Sequence, residues 1–252
     1  MRSLLGIARS LFIYHGIPGR SARMRRFYAP FVARDSLCFD IGAHMGNRTR
    51  SWRALGARVV AVEPQPDCQK VLAFLFSQDE SVTLLDQAVG ETAGRLTLFA
   101  DPSNPTVSSL SESWIEQVKQ DPSFDGVRWQ AEREVAVTTL QALIDRYGLP
   151  AFVKIDVEGF EEQVLAGLQV PLPSLSFEYL PVAVANALAC IDRLEALGCY
   201  EYNRSPGESH QLVQKHWSDA DQMREFLGSL RIADGSGDIY ARLTESAEKL
   251  IR

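Results

Sequence analysis

The residues with the clearest capacity for chemistry form a short loop after an apolar run. Residues 40–47 read DIGAHMGN, so that an acid, Asp40, precedes two glycines, Gly42 and Gly46. Glycines between a strand and a helix usually mark a place where a ligand approaches the backbone. Their G-x-x-x-G spacing differs from the dinucleotide fingerprint G-x-G-x-x-G. Because a carboxylate at position 40 would repel a pyrophosphate, we expect a ligand with an ammonium group and no phosphates.

A second acid, Glu63, ends the next apolar run. A carboxylate at this place can accept hydrogen bonds from both hydroxyl groups of a ribose. The ligand therefore resembles a nucleoside with a zwitterionic tail, which describes S-adenosylmethionine. The start of the helix predicted over 47–55, with Asn47 as its N-cap, would face the carboxylate of that tail. Asp86 and Gln87 follow the third apolar run, where they would meet the edge of an adenine.

A third group of charged residues lies in VKIDVEG, residues 153–159. Lys154, Asp156 and Glu158 are two positions apart, so an extended backbone places them on one face. Three charges at the end of a buried strand are costly unless they pair or bind something. We expect Asp156 or Glu158 to orient, or also to deprotonate, an acceptor hydroxyl in line with a methyl group. The alternative is a Lys154–Asp156 ion pair that only orders the strand end.

Histidines are alternative bases. His210 lies in the polar loop NRSPGESHQL (203–212), which is predicted to bind the acceptor at the rim of the site, or else to be a solvated turn. His44, inside the glycine loop, is predicted to shape that loop. The stretch SNPTVSSL (103–110) could cover the cofactor as a lid or form an ordinary turn.

Cysteine and histidine spacing gives no sign of a metal site. The four cysteines form no C-x-x-C pair, and the four histidines do not cluster. We therefore predict no metal, with a divalent ion shared by Asp156, Glu158 and another carboxylate as the alternative. Free cysteines and the absence of a visible export signal favour a reducing, cytoplasmic compartment.

The order of apolar runs indicates the fold. From residue 36 onward, short strands alternate with amphipathic helices, which predicts an α/β, Rossmann-like, doubly wound sheet of about seven strands with right-handed crossovers. One domain would cover 36–243, with an insertion at about 95–138 that edges the sheet. Residues 244–252 would form a C-terminal tail. No pattern indicates an oligomeric state.

Charge is distributed unevenly along the chain. The net charge is -6, which argues against a nucleic-acid partner. Residues 1–34, in contrast, contain no acid and seven arginines: Arg2, Arg9, Arg20, Arg23, Arg25, Arg26 and Arg34. Residues 1–35 are predicted to be a basic helical extension that packs on the domain. The sharper hypothesis is a peripheral contact of residues 1–34 with an anionic membrane.

Longer motifs add a family resemblance. The stretches FDIGAHMGNRT (39–49), VVAVEPQP (59–66), AVGETAG (88–94), TVSSL (106–110), VTTLQALI (137–144), VKIDVEGFEEQVLAGL (153–168) and SFEY (176–179) resemble the FkbM family of class I S-adenosylmethionine-dependent methyltransferases. The resemblance implies a mostly parallel Rossmann-like sheet with a reversed last strand. It also implies methyl transfer, usually to oxygen.

The resemblance also suggests site residues and an acceptor class. The cofactor would contact Asp40, Gly42, Ala43, His44, Gly46, Asn47, Glu63, Pro64, Asp86 and Gln87. Asp156, Glu158, Lys154 and His210 are the candidate catalytic residues. The acceptor would be a small molecule, a sugar or a lipid-linked glycan. Alternatives are N-methylation of another acceptor, or a module, at the membrane or elsewhere, that binds S-adenosylmethionine without catalysis. A dehydrogenase is disfavoured by the glycine spacing.

Overall fold

The N-terminal part of the described chain is a helix that packs on the domain. The structure is a computed structural model that describes residues 19–101, 104–244 and 247, so half of the predicted extension lies outside the described residues. Helix α1 spans Arg20–Tyr28 and buries Met24 and Tyr28. The ring centroids of Tyr28 and Trp52 are 5.4 Å apart, in an edge-to-face arrangement. Aromatic packing therefore joins α1 to the rest of the fold.

The first half of the main sheet follows the predicted alternation. In chain order its elements are β1 (Leu37–Ile41), α2 (Asn47–Leu55), β2 (Arg58–Val62), α3 (Pro66–Phe76) and β3 (Val82–Leu85). Gly56, with φ of 92°, ends α2, because a left-handed residue cannot continue the helix. Pro66 is the first residue of α3, where the N–H group that proline lacks would have no helical partner.

The predicted insertion forms a sheet of its own. Its elements are β4 (Ala88–Val89), β5 (Gly94–Asp101), β6 (Asn104–Ser109), α4 (Glu112–Val118) and β7 (Gln130–Thr138). The strand order is β4-β7-β5-β6, so the prediction that residues 95–138 edge the main sheet is wrong. The long strands β5 and β7 form an antiparallel pair, so their backbone N–H and C=O groups are hydrogen-bonded to each other. They therefore do not need hydrogen bonds from a strand of the main sheet. The stretch predicted as a turn or lid contains β6.

The second half of the chain completes the main sheet. It contains α5 (Leu140–Tyr147), β8 (Phe152–Ile155), α6 (Glu161–Ala166), β9 (Ser174–Tyr179), α7 (Val184–Leu197), β10 (Tyr200–Pro206), α8 (Ala220–Ser229) and β11 (Gly237–Leu243). The order is β10-β11-β9-β8-β1-β2-β3, and β11 runs antiparallel to both of its neighbours. A mostly parallel seven-stranded sheet with a reversed last strand is therefore confirmed.

The main sheet is covered by apolar side chains on both faces. Phe39 and Ile41 of β1 belong to one buried cluster, whereas Cys38, which precedes Phe39, belongs to the cluster on the opposite face. This alternation is what a pleated strand produces, and burial on both faces explains why the strands are nearly continuously apolar. Polar groups are therefore concentrated where the strands end.

The strand order creates one switch point at these ends. The chain runs outward from β1 through β2 to β3 and returns on the other side of β1 as β8. Crossovers therefore diverge between β1 and β8, which is where ligands bind in doubly wound sheets. Gly42, Glu63 and Asp156 each follow a strand at this edge.

Candidate active site

The turn after β1 requires glycine at two positions. Gly42 has φ of 78°, and a Cβ atom there would lie 1.8 Å from the carbonyl oxygen of Asp156. Gly46 has φ of 73°, and its Cβ atom would lie 2.6 Å from the ring of Phe76. Gly46 is the N-cap residue of α2, so Asn47, predicted as the N-cap, is instead the first helical residue. The glycines allow this turn to lie directly against the residues that follow β8.

Asp40 joins β1 to the start of α2. Its Oδ2 atom accepts hydrogen bonds from the Thr49 backbone N–H (3.0 Å) and the Thr49 hydroxyl (2.6 Å). The residue is 1% exposed, and burial raises the pKa of its carboxyl group. Asp40 therefore fixes the helix that follows the glycine loop, where a carboxylate complements the helix dipole.

Glu63 supports the same loop from the end of β2. It accepts hydrogen bonds from the backbone N–H groups of His44 (2.9 Å) and Gln65 (2.8 Å). Burial raises the pKa of Glu63 to about 7, although these hydrogen bonds oppose the shift. His44 has φ of 48°, and burial lowers its pKa to about 4, so its imidazole is neutral near pH 7. The structure thus uses the backbone of His44 to shape the loop, as predicted from the sequence.

A cavity opens over this turn, and we call it the β1 cavity. The predicted site residues that line it are Gly42, His44, Asn47, Glu63, Pro64, Gln87, Asp156 and Glu158. Asp40, Ala43, Gly46, Asp86, Lys154 and His210 do not line it. Asp86 is exposed directly after β3, and Ala43 is buried. Gly46 is part of the turn but lies against Phe76 and Leu72 of α3. Sequence position alone therefore identified the loop but not each contact.

The side-chain amide of Asn47, in the β1 cavity, points to a ligand. Asn47 is 6% exposed, and its buried Nδ2 atom has no hydrogen-bond partner among the described residues. A buried donor without an acceptor costs about 1–3 kcal/mol. An anionic group placed in the cavity at the start of α2 would satisfy it, and the helix N-terminus would add a favourable field. These groups fit the carboxylate of an amino-acid tail.

A second cavity adjoins the β1 cavity, and we call it the carboxylate cavity. It is lined by Arg48, Asp156, Glu158, Glu178, Gly207, Glu208, Ser236, Gly237 and Asp238. Four of these residues line both cavities: Arg48, Asp156, Glu158 and Glu208. The two spaces therefore meet along one charged wall.

Asp156 is the most strongly paired carboxylate of that wall. Its Oδ2 atom lies 2.9 Å from Nη1 of Arg48 and 3.8 Å from Nζ of Lys154. Burial would raise the pKa of Asp156, but Lys154 and Arg48 outweigh it and hold the pKa below the usual value. Nζ of Lys154, a fully buried residue, also lies 2.6 Å from the carboxylate of Asp238. Asp156 is therefore ionised and firmly oriented. Lys154 lines neither cavity and stabilises the charge of Asp156 from the protein interior.

His210 lines neither cavity, although its Nε2 atom lies 3.7 Å from the carboxylate of Glu208, which lines both. It is 8% exposed, and its ring packs edge-to-face against Phe27 of α1, with centroids 5.8 Å apart. Its Nδ1 atom lies 3.0 Å from the backbone oxygen of Glu208. Burial lowers the pKa of His210. The imidazole therefore braces the 203–212 loop beneath α1, and we do not assign it the role of a base.

Several lining residues were not named as site residues in the sequence analysis, although Ser108 and Leu110 lie in the stretch predicted as a lid or turn and Glu208 lies in the loop 203–212. They are Arg48, Gln65, Leu98, Ser108, Leu110, Val157 and Glu208. Arg48 carries one usable signal, since a cation in the first turn of a helix opposes the dipole and calls for a specific partner. Ser108 and Leu110 show that the end of β6 closes one side of the β1 cavity. Two cationic partners of Glu208, Arg48 and Arg20, are distant in sequence, and its Oε2 atom also lies 3.7 Å from Nε2 of His210, two residues away.

Comparisons with known proteins give low sequence identity to solved structures. A precorrin-6Y C5,15-methyltransferase from Geobacter metallireducens is 11% identical, with 89% of this chain and 87% of that chain covered and a TM-score of 0.45. An rRNA methylase from Streptococcus thermophilus is 11% identical over 87% and 94%, with a TM-score of 0.44. A methyltransferase structure from Streptococcus mutans, solved with S-adenosylhomocysteine, is 10% identical over 90% and 98%, with a TM-score of 0.44. No curated protein sequence matches significantly.

A protein-family match covers most of the chain. The family described as the methyltransferase FkbM domain matches residues 40–231, which is 192 of the 252 residues. The matched region begins at Asp40 and includes the turn, the β1 cavity and most of the carboxylate cavity. The unpartnered Asn47 amide and the buried Glu63 carboxylate suit the two ends of S-adenosylmethionine. The chain belongs to the FkbM methyltransferase family, and its cofactor is S-adenosylmethionine.

Proposed function

We propose that this protein transfers a methyl group from S-adenosylmethionine to a hydroxyl oxygen of a small molecule, a sugar or a lipid-linked glycan. The observation that carries the proposal is the position of Asp156. Its carboxylate lines both cavities and is held by Arg48 and Lys154. In this proposal the β1 cavity holds the cofactor and the carboxylate cavity holds the acceptor.

The chemistry needs alignment more than covalent catalysis. The bound cofactor supplies a methyl group on a positively charged sulfur. The acceptor oxygen forms a bond to the methyl carbon as the carbon–sulfur bond breaks, the sulfur keeps the electron pair, and the hydroxyl proton leaves to solvent. Because the pKa of Asp156 is low, we assign this residue the role of hydrogen-bond acceptor that orients the hydroxyl. Asn47 and Glu63 would hold the two ends of the cofactor.

The surroundings favour oxygen over nitrogen as the methylated atom. An amine is nucleophilic only when it is neutral. Carboxylates stabilise the protonated form of a nearby amine and raise its pKa. The carboxylate cavity is rich in such groups, so an amine placed there would stay protonated and could not take a methyl group. A hydroxyl remains neutral there and needs only orientation.

The test begins with the cofactor and ends with the product. Calorimetry with S-adenosylhomocysteine should give saturable binding to the wild type and to Asp156→Asn. A screen of hydroxylated compounds with methyl-labelled cofactor, read by mass spectrometry, should yield an O-methyl product. Asp156→Asn should then lower turnover about 100-fold with cofactor affinity unchanged. Near-normal turnover of this variant, or a product methylated on nitrogen, would contradict the proposal.

We also propose that the basic N-terminal segment contacts an anionic membrane, which would suit a lipid-linked acceptor. Arg23 and Arg26 of α1 are exposed, and residues 1–18 lie outside the described residues. No helix in the described part of the chain has the length and apolar character needed to cross a bilayer. Co-sedimentation with anionic but not with zwitterionic vesicles is expected. Protein that stays in the supernatant with both would refute the contact.

A further inference from the structure

The acceptor side of the site has an unbalanced charge. If the proposed function holds, a methyl acceptor must enter the carboxylate cavity, because this space shares a wall with the β1 cavity. Its volume of about 150 Å³ is enough for several groups of the size of water. The balance of positive and negative groups along its wall therefore reports the chemistry of what binds there.

Three carboxylates of the cavity already have cationic partners. Asp156 pairs with Arg48 and Lys154, Asp238 pairs with Lys154, and Glu208 lies 3.1 Å from Arg20. These ion pairs offset the cost of taking the carboxylates out of water. Arg48, the cation that lines this wall, is engaged with Asp156 and lies 3.6 Å from Glu208.

Two carboxylates differ from the others. The side chains of Glu158 and Glu178 form no ion pair or hydrogen bond with the residues that the structure describes. The Oε2 atom of Glu178 is buried and has no partner. Carboxylate oxygens of Glu158, Glu178 and Asp156 lie within 4.8 Å of one another. Burial raises the pKa of both glutamates, and neighbouring carboxylates add to the shift. Such a pair would gain from a positive group placed between its members.

The position of Glu158 is built rather than accidental. Its φ is 52°, a left-handed conformation that a residue with a side chain seldom adopts. The hydroxyl of Ser109, at the end of β6, donates a 2.6 Å hydrogen bond to the Glu158 backbone oxygen. The next residue, Gly159, packs so closely on Trp114 that a Cβ atom would lie 2.0 Å from the indole. The inserted sheet and α4 therefore hold Glu158 at the edge of the cavity.

An ammonium group suits this pair better than a divalent metal ion does. The third carboxylate, Asp156, is held by Arg48 at 2.9 Å, so a metal ion there would face the repulsion of a guanidinium. Only two carboxylates would remain as protein ligands. An ammonium group carries three donors and one positive charge, which two glutamates can satisfy directly.

We propose that Glu158 and Glu178 bind an ammonium group of the acceptor, so that the substrate is an amino alcohol, such as an amino sugar or an aminocyclitol. The amine is the recognition element, and a neighbouring hydroxyl beside Asp156 is the methylated group. This assignment rests on the proposed function. It makes the acceptor a cation that the pair recognises, and it excludes acceptors whose phosphate or carboxylate would have to enter the cavity.

Matched pairs of compounds test this assignment. The protein, saturated with S-adenosylhomocysteine, is titrated with glucosamine and glucose, and with ethanolamine and ethylene glycol, by ligand-observed NMR. The amine of at least one pair should bind at least about tenfold more tightly than its hydroxyl counterpart. Glu178→Gln and Glu158→Gln should remove that preference. Glu225→Gln, an exposed glutamate of α8, should keep it.

Three outcomes would overturn the assignment. Equal affinity for the amine and its hydroxyl counterpart in both pairs would show that the protein does not recognise the ammonium charge. A preference that survives in both glutamine variants would place recognition elsewhere. Saturable Mn²⁺ binding that disappears in Glu178→Gln would show that the pair serves a metal ion. Binding of S-adenosylhomocysteine is measured on the wild type and on every variant beforehand. A failure of the wild type to bind S-adenosylhomocysteine would count against the proposed function and not against the role of the glutamate pair.

Discussion

The two cavities of this protein are built by different interactions. In the β1 cavity the key carboxylates accept hydrogen bonds from nearby backbone, as Glu63 does from His44 and Gln65. In the carboxylate cavity three of the five carboxylates are held by cations that come from distant parts of the chain, as Asp156 is held by Arg48. The first arrangement depends on the shape of one local loop. The second depends on the whole fold being in place.

This difference separates a shared function from a specific one. A backbone cradle binds one ligand in one way, so many relatives can use the same loop for the same cofactor. Ion pairs between side chains can be exchanged one residue at a time, and each exchange changes the charge that an acceptor meets. We therefore expect changes in the loop to affect stability and cofactor binding together, and changes among the glutamates to affect acceptor choice alone.

The largest expected effect comes from the close approach of Gly42, in the turn after β1, to the backbone of Asp156, which lines both cavities. Gly42→Ala would place a Cβ atom 1.8 Å from the Asp156 carbonyl oxygen, at a φ of 78°. We expect a loss of at least about 4 kcal/mol in the free energy of unfolding, or failure to fold. Urea unfolding measures it. Gly228→Ala is the control, because its Cβ would meet nothing within 4 Å. Equal stability of the two variants would contradict the close approach.

Arg48 tests whether the carboxylate cavity depends on ion pairs. Arg48→Met keeps much of the side-chain length but leaves Asp156, whose side chain is mostly but not fully buried, with Lys154 as its remaining ion-pair partner. Removing one partner of a buried pair costs about 3–5 kcal/mol. We expect a destabilisation near the lower end of this range, about 3 kcal/mol, because Lys154 compensates in part. Arg58→Met, at the exposed start of β2, should change stability by less than about 0.5 kcal/mol. An Arg48→Met variant with the same free energy of unfolding as the wild type would show that the Arg48–Asp156 ion pair is dispensable for stability.

The β1 cavity was largely predictable from sequence because its parts are local. The two glycines, Asp40 and Glu63 stand at the ends of apolar runs, and strand period and loop length alone bring those ends together. The alternation of strands and helices gave the main sheet for the same reason. Asp86 is the exception, since its distance from the cavity depends on how the chain turns into β4.

Only part of the carboxylate cavity could be predicted from sequence, because the remaining lining residues come together only in the tertiary structure. Spacing by two predicted that Lys154, Asp156 and Glu158 share an edge, but nothing local joins Arg48, Glu208 or Asp238 to them. The separate sheet was missed for a related reason. Whether β5 pairs with β7 or with β3 is a choice between partners that strand propensity does not encode.

Glu63 tests the claim that backbone-held carboxylates serve the cofactor. Glu63→Gln keeps the shape but loses the charge that ribose hydroxyls would donate to. Affinity for S-adenosylhomocysteine should fall about 10- to 100-fold, since a hydrogen bond to a charged group contributes about 1.5–3 kcal/mol. Asp86→Asn is the matched control and should bind normally, because Asp86 is exposed outside the cavity. A weakened Asp86→Asn would instead restore the role predicted from sequence.

The smallest effect is a pH dependence of cofactor binding in the β1 cavity. Burial raises the pKa of Glu63 to about 7, so in the cofactor-free protein this carboxyl group is mostly protonated at pH 6 and mostly ionised at pH 8. Binding requires the ionised form as acceptor for the ribose hydroxyls. Affinity for S-adenosylhomocysteine should therefore rise about tenfold from pH 6 to pH 8, as proton linkage requires for one group with a pKa near 7. Calorimetry at intermediate pH values would define the midpoint.

The control for this pH dependence is the glutamine variant itself. Glu63→Gln cannot titrate at this position, so its affinity should be low and nearly constant between pH 6 and pH 8. His44 cannot replace it as the source, because its pKa of about 4 lies below that window. Burial also raises the pKa of Asp40, however. A slope that persists in Glu63→Gln would therefore assign the coupling between pH and cofactor binding to another carboxyl group whose pKa is raised, either Asp40, which fixes α2, or Glu158, which lines the β1 cavity.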